Sequence, residues 1–199
     1  MIRVSEIFYS IQGETKFIGL PTVFIRLTGC PLRCTYCDTS YAFSGGSVYT
    51  IEQILQETLQ YPTRYVTVTG GEPLAQKDTI LLLYQLCEKN YTVSLETSGA
   101  LSLEQIDPRV VKIMDLKTPD SGEENKNNYI NLNYLNSHDQ IKFVICSRED
   151  YDWSKQILAK YNLTHYCEIL FSPSYEQLNP THLADWILQD KLPVRLQIQ

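Results

Sequence analysis

Cys30, Cys34 and Cys37 stand in one short segment, Cys30-Pro31-Leu32-Arg33-Cys34-Thr35-Tyr36-Cys37. A cubane iron–sulfur cluster takes four thiolates when all its irons are held by protein. Three thiolates leave one iron open, and an open metal position is where a substrate or cofactor binds. The triplet therefore predicts cluster chemistry at an exchangeable position. A structural zinc would show a fourth Cys or His close by or a second paired motif, whereas His138, His165 and His182 lie far off in sequence. Cys87, Cys146 and Cys167 fall in apolar stretches and read as small buried hydrophobes.

Gly70-Gly71-Glu72-Pro73 is a second candidate. Glycines let the backbone approach a ligand closely, and exposed carbonyls or a carboxylate there would accept hydrogen bonds from an ammonium group. Gly45-Gly46, with no Lys-Ser/Thr after it, reads as a turn.

The elements that position these groups follow from apolar, β-branched runs at residues 22–27, 65–68, 92–95, 110–114, 141–145, 168–171 and 194–198. Helix signals separate most of them. Helices are expected over 51–60, 78–88, 148–161 and 181–189, with Thr50/Gln53 and Ser147/Asp150 at capping spacing and Asn179 ahead of Pro180. In the second helix Ile80, Leu83, Tyr84 and Cys87 share one face. Such alternation predicts a parallel sheet with right-handed crossovers, in which ligands collect at the carboxyl ends of the strands. The cysteine triplet, Gly70-Gly71-Glu72-Pro73, Glu96-Thr97-Ser98-Gly99, Asp115-Leu116-Lys117 and Ser172-Pro173-Ser174-Tyr175 all follow strands. Residues 120–136, rich in Asn, Asp, Glu and Gly, read as a mobile surface loop.

Composition bounds the class. One domain over residues 1–199 is expected, with 43% hydrophobic and 20% charged residues, as in soluble globular chains. A net charge of −6 argues against nucleic acid as a partner. Met1-Ile2-Arg3-Val4-Ser5-Glu6 lacks the apolar stretch of a signal peptide, and no apolar run approaches the ~18 residues of a membrane span, so a cytoplasmic protein without a membrane partner is expected.

Cys-x3-Cys-x2-Cys after the first barrel strand, then Gly-Gly-Glu-Pro after the second, resembles the radical S-adenosylmethionine superfamily. Within it, Phe8-Tyr9-Ser10-Ile11-Gln12-Gly13-Glu14, Phe24-Ile25-Arg26, Cys37-Asp38-Thr39 and Glu96-Thr97-Ser98-Gly99 resemble the 7-carboxy-7-deazaguanine synthase family, nearly end to end. The resemblance implies an α/β fold, a partial (β/α)6 TIM-like barrel, assembled as a homodimer. It implies a lyase of queuosine and 7-deazapurine biosynthesis that contracts the ring of 6-carboxy-5,6,7,8-tetrahydropterin to 7-carboxy-7-deazaguanine with loss of ammonia, fed by a flavodoxin-like reductant.

Carried over residue by residue, the resemblance implies that Cys30, Cys34 and Cys37 hold a 4Fe-4S cluster. Tyr36, Cys37, Asp38, Gly71, Asp115, Leu116, Lys117, Ser172, Pro173, Ser174 and Tyr175 contact S-adenosylmethionine. Ile11, Gln12, Gly13, Arg26 and Thr69 contact the pterin, and Thr39 ligates Mg2+. No side chain is assigned as catalytic, because the radical is borne by the cofactor. Arg26 suits a carboxylate, since its planar fork donates two parallel hydrogen bonds; a surface ion pair is the plainer alternative. Two departures stand out: Thr15 where the family often has a second Gly, and Arg195-Leu196-Gln197-Ile198-Gln199 where members usually continue with His-Lys. The rival readings are a glycyl-radical-enzyme activase and a non-enzymatic iron–sulfur electron carrier.

Overall fold

The computed structural model describes residues 1–198 and contains one nine-stranded sheet. Its strands are β1 (Ile2–Ile11), β2 (Pro21–Leu27), β3 (Ser47–Tyr49), β4 (Tyr65–Gly70), β5 (Thr92–Thr97), β6 (Val111–Asp115), β7 (Gln140–Ile145), β8 (Glu168–Pro173) and β9 (Arg195–Leu196). The order is β3-β1-β2-β4-β5-β6-β7-β8-β9, parallel from β2 onward. β3 and β9 are the two edges, each paired on one side only, so the sheet is a partial barrel that does not close.

Period-two patterning divides the faces. In β7, Ile141, Phe143 and Ile145 join the buried core, while Lys142 and Val144 between them line a cavity. Ile25, Val68, Leu95, Ile169 and Phe171 belong to the same core. Burying one such side chain contributes roughly 2 kcal/mol.

Helices α1 (Ile51–Thr58), α3 (Arg148–Lys160) and α4 (Pro180–Asp190) begin where the caps place them, and α2 (Thr79–Glu88) begins without a side-chain cap. Thr50 and Gln53 form a reciprocal capping box, Ser147 Oγ accepts from Asp150 N at 3.2 Å, and Asn179 Oδ1 accepts from Thr181 N at 2.9 Å. The apolar face of α2 is rotated from its expected position. Thr79, Leu82, Leu83, Leu86 and Cys87 are buried and Tyr84 is 46% exposed, because the Leu-rich run offers the sheet several apolar stripes and the leucines fit it better than a phenol.

The regular alternation of six β/α units is broken at the β3 edge and in the β5–β6 and β6–β7 crossovers. β1 and β3 add an antiparallel edge, with β1 paired to β2 and β3 to β1. No α-helix bridges β5 and β6. There the buried Asn131 carboxamide accepts from Leu103 N at 3.0 Å and donates to Gly99 O and Leu101 O at 2.8 Å, satisfying backbone groups a helix would have paired. Gly99, at φ +68°, crosses so close to Met114 that a Cβ would lie 2.6 Å from its side chain.

Residues 120–136 are likewise not a plain surface loop. They carry short 3-10 turns with Ser121, Asn131 and Leu132 buried, because one polar side chain anchors each end of the segment. Gly45 and Gly46 form the expected turn at φ +82° and +68°. The β1–β2 connection crosses to the far side of the sheet, where Lys16 N donates to Gln140 Oε1 at 2.9 Å and Lys16 Nζ to His138 O at 3.0 Å.

Candidate active site

A cavity of about 730 Å³ lies at the carboxyl ends of the parallel strands. Cys30, Cys34 and Cys37 share one of its walls. Their loop is pinned by residues 120–123: Thr35 N donates to Ser121 O at 3.1 Å, Thr35 Oγ1 to Asp120 O at 2.7 Å, and Arg33 N to Glu123 Oε1 at 2.5 Å. Arg33 also folds back to donate to Cys30 O and Leu32 O, with its guanidinium 4.3 Å from the Phe43 ring centre. Burial raises the Cys30 and Cys34 thiols, with Lys117 opposing it at both.

This donor set fits a cluster. Three thiols stand on one wall beside Gly71, where a Cβ would come within 2.2 Å of Gly29 O and 2.9 Å of the Cys30 Cβ. Among the described residues no three His, Cys, Asp or Glu side chains converge on a single-ion site. Sulfurs bound to separate corner irons of a cubane do not need to converge in that way.

Gly70-Gly71-Glu72-Pro73 works differently from its sequence-based expectation. Glu72 is buried and its carboxylate is fully engaged, accepting from Thr97 Oγ1 at 2.9 Å, Ser98 N at 2.7 Å, Ser98 Oγ at 2.5 Å and Leu74 N at 3.0 Å. It locks the end of β4 to the end of β5 and offers an incoming ammonium nothing. The glycines serve close approach instead: a Cβ on Gly70 would lie 2.1 Å from Leu27 O, and Gly71 N donates to that same carbonyl at 3.1 Å. Both glycines line the cavity.

Charged side chains line the same cavity beside the cysteines. Lys142 Nζ sits 2.9 Å from Glu14 Oε2 and 4.0 Å from Asp115 Oδ2, and Lys117 Nζ lies 2.9 Å from that same Asp115 oxygen. Burial, the largest single influence, would lower both lysines, but the surrounding negative groups, Asp115 foremost at Lys117 and Glu14 foremost at Lys142, together outweigh it and hold the ammonium groups charged. Glu96 accepts from Thr69 Oγ1 at 2.8 Å and Gln12 Nε2 at 3.4 Å; burial, then the Glu14 charge, raises its pKa. Asp115 Oδ1 and Tyr36 OH are buried without a hydrogen-bond partner among the described residues. Arg26 pairs through Nε with Glu6 Oε1 at 2.7 Å and lines the cavity as well.

Of the residues singled out in sequence, Ile11, Gln12, Gly13, Arg26, Tyr36, Asp38, Thr39, Thr69, Gly71, Asp115, Lys117, Ser174 and Tyr175 line this one cavity with the three cysteines. Leu116, Ser172 and Pro173 do not. Leu116 belongs to the core, and Ser172 and Pro173 are buried in β8. Thr39 Oγ1 donates to Asp38 Oδ1 at 2.6 Å, which joins the two residues in one turn. Sequence reasoning missed Glu14, Glu96 and Lys142. Their signal was present, since Glu96 and Lys142 are lone charges inside otherwise apolar strands.

The sequence pattern of the Radical SAM superfamily matches residues 24–162. The 7-carboxy-7-deazaguanine synthase of Chlorobaculum tepidum is 45% identical over 201 residues, covering 100% of this chain and 91% of that protein. That of Koribacter versatilis is 37% identical, covering 100% and 94%. Among solved structures, QueE from Escherichia coli superposes with a TM-score of 0.81 at 24% identity over 100% of this chain and 93% of that one. Streptococcus suis SuiB bound to S-adenosylmethionine gives 0.60 at 16% identity over 86% and 48%. With the motifs in order along the partial barrel and relatives of this identity matched over more than nine-tenths of their length, the chain belongs to the radical SAM superfamily and, within it, to the 7-carboxy-7-deazaguanine synthase family.

Proposed function

We propose that this protein contracts 6-carboxy-5,6,7,8-tetrahydropterin to 7-carboxy-7-deazaguanine with loss of ammonia. The observation that carries the reading is the cavity itself, where three cysteines share a space of about 730 Å³ with charged and hydrogen-bonding side chains. When bound, a 4Fe-4S cluster on Cys30, Cys34 and Cys37 and S-adenosylmethionine supply the carbon radical.

The chain's own residues hold and orient. Arg26, at the end of β2, receives the pterin carboxylate. Gln12, Thr69 and Glu96 present an amide, a hydroxyl and a carboxylate to the donor–acceptor edge of the pterin ring. Asp115 Oδ1 and Tyr36 OH, without partners of their own, take up hydrogen bonds from S-adenosylmethionine, and the Gly71 backbone lies against it. Lys117 pairs with Asp115 at 2.9 Å and fixes that carboxylate's position in a site that excludes water. Thr39 holds Mg2+, a hard cation suited to an oxygen ligand that leaves room for substrate oxygens.

Kinship brings further parts to the same reading: a flavodoxin-like one-electron donor, a homodimer and a single domain over residues 1–199. All six cysteines are free thiols, which suits a reducing cytoplasm. Among the described residues no helix is long and apolar enough to cross a membrane.

The test is anaerobic incubation of iron-reconstituted protein with dithionite, Mg2+, S-adenosylmethionine and the tetrahydropterin, read by mass spectrometry. Formation of 7-carboxy-7-deazaguanine, abolished by Cys34→Ala, is expected. Accumulation of 5′-deoxyadenosine and methionine without deazaguanine would refute the substrate.

A further inference from the structure

We propose that Glu6 is a positioning residue that aims the Arg26 fork at the substrate carboxylate, with Tyr41 holding Glu6 in place. The proposal rests on the function given above. Glu6 and Arg26 are cross-strand partners in the β1–β2 ladder, and the register shifts between Val4 and Glu6. That bulge matters: one extra residue in β1 turns Glu6 onto the face that carries Arg26. The contact runs from Arg26 Nε to Glu6 Oε1 at 2.7 Å. Neither terminal nitrogen of Arg26 has a hydrogen-bond partner among the described residues, so the end of the fork that grips a carboxylate with two parallel bonds is left open.

The surroundings fix the plane of the guanidinium. Its carbon lies 5.7 Å from the Phe8 ring centre and 5.9 Å from that of Tyr41, and Phe8 stacks on Phe24 at 5.0 Å. Tyr41 OH donates to the same Glu6 oxygen at 2.8 Å. Tyr41 lies in the 3-10 turn Ser40–Phe43 that follows Thr39, so a single carboxylate oxygen ties the Arg26 strand to the turn beside Thr39. With the Arg26 and Glu6 side chains 18% and 40% exposed, an ion pair of this kind adds little to stability. Orientation is what remains for it to supply.

Charge and orientation predict opposite results. Removing Glu6 deletes a negative charge beside Arg26, which by attraction alone tightens the hold on any carboxylate. Loss of aim weakens it. The test is equilibrium binding of two unreactive probes, 6-carboxypterin and pterin, to the reconstituted holoenzyme with S-adenosylmethionine present. For Glu6→Ala, 6-carboxypterin should bind about tenfold more weakly and pterin within about twofold of the unsubstituted protein. Glu6→Gln retains an acceptor for Arg26 Nε and should stay within about threefold for both probes, which makes it the control should Glu6→Ala fold poorly. Tyr41→Phe should weaken only the carboxylated probe.

Equal weakening of both probes by Glu6→Ala would make the residue merely structural and overturn the proposal. Tighter 6-carboxypterin binding would overturn it in favour of charge. Equal affinity of the two probes for the unsubstituted protein would instead refute Arg26 as the carboxylate reader, and the functional reading with it.

Discussion

At the amino ends of the parallel strands Lys112 and Asp139 are both buried, and every oxygen of the carboxylate is used. Asp139 lies 3.0 Å from Lys112 Nζ and accepts from Lys112 N at 2.8 Å and Asn136 N at 2.7 Å; His138 Nε2, without a hydrogen bond, still faces it at 3.6 Å. At the carboxyl ends Asp115, Lys117 and Lys142 are also largely buried, yet Asp115 Oδ1 and Tyr36 OH, which face the cavity, have no hydrogen-bond partner among the described residues. A buried polar atom left unpaired costs about 1–3 kcal/mol. The carboxylate at one end of the sheet is thus satisfied by the chain alone, while the cavity at the other end keeps polar atoms open.

The largest effect that would sharpen this contrast is at the amino end. Lys112→Met leaves Asp139 buried without its cation and should cost about 3 kcal/mol in urea denaturation, with the turnover of the folded fraction unchanged. At the carboxyl end the signs should reverse. Tyr36→Phe removes a hydroxyl that has no partner, so stability should hold while S-adenosylmethionine affinity, measured by titration, falls about fivefold. If Tyr36→Phe destabilised the chain and left affinity untouched, the contrast would break.

A third difference is a slope with pH. Burial and the Glu14 charge raise the Glu96 pKa above its ordinary 4.5, so the folded chain keeps that proton where the unfolded chain has released it. The stabilisation is complete below the ordinary value and is lost as pH rises through the raised one. Denaturation across that window should show Glu96→Gln gaining on the unsubstituted protein as pH increases. The smallest effect is at Thr15, a buried β-branched residue at φ +68° in the β1–β2 connection. Thr15→Gly exchanges left-handed strain for chain entropy and the Thr15 hydroxyl's bond to Phe17 N, and should stabilise by about 0.5 kcal/mol without changing turnover.

Strands β2, β4 to β8 and all four helices were legible because each carries its own signal: β-branched runs, caps and a proline at a first turn. β1 was not, since Ile2–Ile11 mixes Arg, Ser and Glu with its apolar residues and takes its place by pairing with β2. The helix-free crossover between β5 and β6 was hidden for a related reason, as its backbone is satisfied by Asn131, a distant side chain.

The site divides in the same way. Contiguous motifs around Cys30, Gly71 and Asp115 could be read directly. Glu72 showed its residue type but not its role, which depends on Thr97 and Ser98 closing over it. Glu14 and Lys142 are far apart in sequence and meet only because the β1–β2 connection crosses the sheet.

The most direct test of the difference between the two ends is amide hydrogen exchange on the reconstituted protein, with and without S-adenosylmethionine and 6-carboxypterin. Ligand-induced protection should concentrate at residues 10–14, 69–72, 115–117 and 172–175 and be absent from 136–140. Protection at the amino ends, or an unchanged carboxyl end, would contradict the account.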